Sequence, residues 1–233
     1  MKTSFLKKTL LATIFMVSAS SSYASLIYLG TEQFEGTGLG TVNTILTIQK
    51  QGEASGSVSF NGTTDVFTGD AKTGNSQTQT RTIAELGITS ASDLRIVFNA
   101  AEPAGNSITL QDLQLDIYNS SGKSIFNSGA FTAQTFDITY TGTGSSGFVF
   151  GLDADQAAAA QLAAFTGNLG NYKIGLSATV TSAAGASETF FAINSAGVVP
   201  PSELPEPGSV ALLGLGLLGF VAARRKAGKT KSA

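Results

Sequence analysis

Leu113-Gln114-Leu115-Asp116-Ile117 alternates apolar and polar residues without a break. Asn119-Ser120-Ser121-Gly122 then turns the chain into Lys123-Ser124-Ile125-Phe126. Side chains of a strand point to opposite faces with period two, so this stretch predicts a hairpin with one buried and one wet face. The same alternation recurs at Val42–Ile48, where Ile45 alone breaks it, and at Val58/Phe60 ahead of the Asn61-Gly62 turn signal. It returns at Leu94/Ile96/Phe98, Phe136/Ile138/Tyr140, Phe148/Phe150/Leu152 and Ile174/Leu176/Ala178/Val180. Eight or more short strands at roughly ten-residue spacing predict an antiparallel β-sandwich of the jelly-roll or immunoglobulin-like kind. The chain contains no cysteine, so such a sandwich must hold by its core without disulfides.

One segment departs from the pattern. Asp153–Asn168, DADQAAAAQLAAFTGN, has an acidic cap at Asp153 or Asp155, alanines through the middle and Gly167 at its far end, which predicts one helix of about three turns. Thr82-Ile83-Ala84-Glu85 fits a capping box. Thr68–Thr80 has no apolar periodicity and is expected to form an exposed loop.

Both ends of the chain have a different grammar. Met1–Ala24 places Lys2, Lys7 and Lys8 before an apolar stretch, Thr9–Val17, and ends in Ser22-Tyr23-Ala24, a small-x-small site. This is the layout of a secretory signal, with cleavage by signal peptidase expected between Ala24 and Ser25. Near the other end, Gly208–Ala223 is uncharged and reaches about 24 Å as a helix, slightly short of a full hydrocarbon core. Arg224, Arg225 and Lys226 supply the positive flank that stays cytoplasmic, so the body would face the other side of the membrane. The expected divisions are a signal at 1–24, a body at 25–199, a linker at 200–204, a terminal signal at 205–226 and a basic tail at 227–233.

Composition removes several chemistries. Without histidine or cysteine there is no Ser-His-Asp or Cys-His nucleophile system and no ordinary zinc site. From Ser25 to Leu204, six basic residues stand against fifteen acidic ones, a net charge of −9. Such a body repels phosphate backbones, and no nucleic-acid partner is expected. The remaining catalytic route is a carboxylate pair. Asp112 and Asp116 share a strand face, where solvated surface acids are the expected reading. Asp153-Ala154-Asp155 has the opening of a calcium loop but alanine at 157–160, so helix capping is the better account, and no metal or cofactor is expected. Tyr28, Tyr118, Tyr140 and Tyr172 could form a sugar platform only if the fold gathers them. Asn61-Gly62-Thr63 and Asn119-Ser120-Ser121 match the glycosylation pattern, but both lie in turns.

Pro205-Glu206-Pro207, the Gly/Leu-rich stretch and the Arg-rich end closely resemble the PEP-CTERM sorting signal. The sequence departs from the family pattern in Leu204, where valine is common, and in the seven residues Ala227–Ala233 after the basic cluster. The resemblance implies a Gram-negative envelope protein, inserted in the membrane in transit and cut near Pro205-Glu206-Pro207 by an exosortase. It would end at the outer surface or outside the cell. The family is associated with exopolysaccharide and biofilm production. The body resembles β-rich proteins that share this tail, a likeness that brings no activity with it. The expectation is a non-enzymatic structural or adhesive protein with extracellular polysaccharide as its partner. The alternatives are a carbohydrate-binding module and, behind it, a carboxylate-dependent glycan hydrolase.

Overall fold

A computed structural model describes residues 25–33, 42–74, 77–138 and 146–195. In chain order the strands among these residues are β1 (Ile27–Gln33), β2 (Thr44–Ile48), β3 (Gly52–Phe60), β4 (Asp65–Gly69), β5 (Arg81–Thr82) and β6 (Leu94–Ala100). They continue with β7 (Ser107–Tyr118), β8 (Ser124–Asn127), β9 (Gln134–Asp137), β10 (Ser146–Gly151), β11 (Lys173–Ala183) and β12 (Glu188–Asn194). One helix, α1 (Ala154–Ala164), lies between β10 and β11.

The strands form two antiparallel sheets. The first runs β1-β10-β6-β12-β2. The second runs β4-β3-β11-β7-β8, with β5 pairing the start of β11 and β9 the start of β7. The expected β-sandwich is the observed architecture. The predicted hairpin is β7–β8, and Asn61-Gly62 turns β3 into β4 with Gly62 at φ +95°.

Alternation explains the second sheet. On β7, Leu113, Leu115 and Ile117 are fully buried, while Asp112, Gln114 and Asp116 point to the outer face. On the facing sheet Phe98 stacks on Phe190 at 4.8 Å between ring centroids, and Phe148 stacks on Phe136, from β9, at 4.3 Å. Phe98, Phe150, Phe190 and Phe191 are among the largest fully buried side chains. At roughly 1.5–3 kcal/mol for each aromatic withdrawn from water, such a core supplies what disulfides supply in smaller secreted domains.

The first sheet buries apolar residues on both faces. Val97, Val149 and Phe191 form a second cluster, joined by Leu29, Val42 and Ile193, on the side away from Phe98 and Phe190. The register sets Val149 opposite Val97 and Val97 opposite Phe191, one row across three strands. Strands covered on both sides read as continuous apolar runs, and Ile96-Val97-Phe98, Phe148-Val149-Phe150 and Phe190-Phe191-Ala192 are such runs.

Asp153 is the cap of α1, its Oδ1 accepting the Gln156 N–H at 2.8 Å. Ala160 and Ala164 are buried, and Gln161 Oε1 accepts the Ala91 N–H at 2.9 Å, which ties the helix to the turn before β6. The capping box at Thr82 is reciprocal: Thr82 Oγ1 accepts the Glu85 N–H at 3.1 Å and Glu85 Oε2 the Thr82 N–H at 2.8 Å.

The exposed loop expected at 68–80 is not what forms. Thr68 and Gly69 belong to β4, and Thr78 and Thr80 are buried. Gln77–Thr80 runs beside β2: Thr78 Oγ1 accepts the Thr47 N–H at 3.1 Å, Thr47 Oγ1 donates to the Gln77 carbonyl at 2.7 Å, and the Gln79 N–H reaches the Ile45 carbonyl at 2.9 Å. The strap thus satisfies backbone groups that β2, an outer strand of its sheet, would otherwise leave open.

Candidate functional site

The acids singled out from the sequence lie apart. Asp112 and Asp116 do share the outer face of β7, but each is engaged locally: Gln114 Nε2 donates to Asp112 Oδ2 at 3.2 Å and Ser124 Oγ to Asp116 Oδ1 at 2.7 Å. Asp153 caps α1, and Asp155 is exposed on its first turn. Among the described residues no group of three or more Asp or Glu side chains is placed to hold a metal ion.

The tyrosines are not gathered into one platform. Tyr28 packs on the core rings of Phe136 and Phe150, with centroids 5.1 and 5.6 Å away. Tyr118 lies against Gly175, where an added Cβ would come within 2.9 Å of its Cε2. Burial, and secondarily the charge of Asp116, pushes its hydroxyl up to about 12. Tyr172 is half-buried at the entry to β11, and Tyr140 lies outside the described residues. The two glycosylation-pattern asparagines build turns. Asn61 Oδ1 accepts the N–H groups of Thr63 and Thr64, and Asn119 Oδ1 those of Ser121 and Lys123.

The outer face of the second sheet is a carpet of short polar groups. Strand register sets Thr68, Ser57, Ser177 and Gln114 in one row across β4, β3, β11 and β7, and Ser55, Thr179 and Asp112 in the next. Neighbours bond one another: Ser57 Oγ to Thr68 Oγ1 at 2.7 Å, Ser55 Oγ to Thr179 Oγ1 at 2.8 Å, Thr109 Oγ1 to Thr135 Oγ1 at 2.8 Å. Lys173 stands at one corner, 3.8 Å from Asp65 and 4.4 Å above the Phe60 ring.

Sequence reasoning missed a pair of buried acids. Glu102 follows β6, Glu188 opens β12, and each is 1% exposed. Glu102 Oε1 accepts the N–H groups of Ala184 and Gly185 at 2.8 and 2.9 Å, and Glu188 Oε2 accepts the Ala101 N–H at 3.0 Å. Their other oxygens, Glu102 Oε2 and Glu188 Oε1, are buried with no donor. Burial is the main force pushing the Glu188 carboxyl up to about 8. The Ala101 N–H opposes it, while the neighbouring Glu102 carboxyl adds to it. The two acids are far apart in sequence, and neither sits in a motif that would announce it.

The functional site that the comparisons identify is the terminal one. Residues 203–226 match the family model of the PEP-CTERM protein-sorting motif. The chain carries a PEP-CTERM sorting motif. Comparison with curated proteins and with solved structures finds no match in either. The motif marks an exported protein that is sorted at the membrane in an exosortase-dependent way. It contains Pro205-Glu206-Pro207 and the flanking Arg224, Arg225 and Lys226. These residues, the helix expected at 208–223 and the signal at 1–24 with its Ala24 end lie outside the described residues; Ser25 is the first described. No helix among the described residues is long and apolar enough to cross a membrane.

Proposed function

We propose that an exosortase cuts this chain at Pro205-Glu206-Pro207 and that the released body serves as a non-enzymatic structural or adhesive protein of the extracellular matrix, in contact with exopolysaccharide. The observation that carries this reading is the polar face of the second sheet, where Thr68, Ser57, Ser177 and Gln114 align across four strands. Rows of hydroxyl and amide groups suit many weak hydrogen bonds to a hydroxyl-rich polymer, spread over a surface. The acids on that face, Asp112 and Asp116, are held by Gln114 and Ser124, which supports solvated surface roles over glycan cleavage.

Retention of the exported protein on the producer's own polysaccharide tests the proposal. Binding is expected to weaken when Ser57→Lys and Ser177→Lys crowd the central row, and the polymer's length distribution should stay unchanged on incubation. Undiminished binding by the double variant removes the sheet face from the reading. Shortening of the polymer, lost in Asp112→Asn/Asp116→Asn, replaces the reading with a hydrolase.

A further inference from the structure

The segment after β6 and the β11–β12 turn are pressed together at the buried acids. An added Cβ on Gly185 would lie 2.1 Å from the Ala101 carbonyl oxygen, so only glycine lets the turn approach this closely. At that approach the Ala184 and Gly185 N–H groups reach Glu102, and the Ala186 N–H reaches the Ala101 carbonyl at 3.1 Å. The Ala101, Ala184 and Gly185 N–H groups are spent on one oxygen of each carboxyl, and the two remaining oxygens have no donor.

We propose that Glu102 and Glu188 share a single proton between these two oxygens, and that the shared proton latches the β11–β12 turn to the end of β6. With one proton present, one carboxyl donates an O–H to the other, and both orphaned oxygens are satisfied by a single bond. Without it, two like charges stand side by side out of water, and the turn must lift to admit solvent. The nearby cations are engaged elsewhere. Lys72, on the segment that packs against β2, binds Gln49 Oε1 at 2.7 Å and Ser187 Oγ at 3.4 Å, and Lys50 lies 3.7 Å from Asp70. Glu53, on the neighbouring β3, is exposed. The charge that acts on Glu188 is that of Glu102. An exported protein meets the pH of its surroundings, so the latch would respond to an alkaline exterior.

The test is equilibrium unfolding of the exported protein from about pH 5 to about pH 10, beside the isosteric variants Glu188→Gln and Glu102→Gln. One proton bound by the folded chain and lost on unfolding makes the unfolding constant rise about tenfold per pH unit below the pH at which the pair ionises. That slope is expected in the wild type and should vanish in both variants, whose amide N–H can donate where the shared proton did. Amide-exchange protection at Ala184 and Gly185 should drop at high pH in the wild type and persist in Glu188→Gln. A slope unchanged in both variants overturns the proposal. So does calcium stabilisation at neutral pH that Glu188→Gln abolishes, because a cation would then bridge the two oxygens. Should neither variant fold, carbon NMR of the wild-type carboxyls decides: titration of both glutamates in the ordinary carboxylate range overturns the latch.

Discussion

At the scale of single residues, the glycines separate positions where the backbone can yield from positions where it cannot. A methyl group on Gly185 would meet the Ala101 carbonyl at 2.1 Å, whereas one on Gly151 would meet the end of the Leu29 side chain at 2.8 Å. A side-chain end rotates away, but a strand-end carbonyl held by the Ala186 N–H does not. Gly185→Ala should therefore destabilise the protein by about 1–3 kcal/mol in urea denaturation, clearly more than Gly151→Ala. Glu188 adds a pH dependence of defined sign. Its folded carboxyl titrates near 8, above the ordinary value of 4.5, so the folded chain binds the extra proton between those values. Its stabilising contribution is full below 4.5 and is lost as pH rises through about 8. The melting temperature, followed across that range with Glu188→Gln alongside, should fall in the wild type more than in the variant.

At the scale of elements, two small polar devices hold long pieces of backbone in place. Thr78 both accepts the Thr47 N–H and donates to the Thr47 carbonyl; the carbonyl also holds the Lys72 N–H at 2.8 Å, so Thr78→Val leaves the buried Thr47 N–H of β2 unpaired. The expected loss is about 1–3 kcal/mol, and light scattering should show a greater tendency to associate through the opened edge. Asp153→Ala, which removes the cap of α1, should cost about 1 kcal/mol and lower the helical signal in circular dichroism. The same elements explain what the sequence disclosed. The β7–β8 hairpin and α1 were legible because their periods and end residues are local. The Gln77–Thr80 strap was not, since residues chosen to bond a strand edge carry no apolar rhythm and resemble a solvated loop. The second face of the first sheet was hidden inside Ile96–Phe98 and Phe148–Phe150, where burial on both sides erases alternation. Glu102 and Glu188 were illegible for a different reason: only the pairing of β12 with β6 brings them together.

At the scale of the whole molecule, charge is distributed unevenly along the chain. The body from Ser25 to Leu204 carries −9, and five of the chain's fourteen basic residues follow Pro207. The described strands end at Asn194, ahead of the matched motif at 203–226, so the sandwich and the sorting motif occupy separate stretches of chain. Replacing Pro205, Glu206 and Pro207 with alanine should leave the melting curve of the body unchanged while preventing release. With the signal removed, the uncut chain has sixteen acids and eleven bases, a net of −5. A cut at the motif removes all five terminal bases and takes the net charge to −9 or below. Isoelectric focusing should therefore place released wild-type protein at a distinctly more acidic position than the membrane-retained triple-alanine variant, and intact mass should show Gly208–Ala233 present only in the variant. Wild-type protein found only in the membrane with Gly208–Ala233 still attached would mean that the motif anchors the chain without being cut. Equal release of the triple variant would remove Pro205-Glu206-Pro207 from the cleavage step.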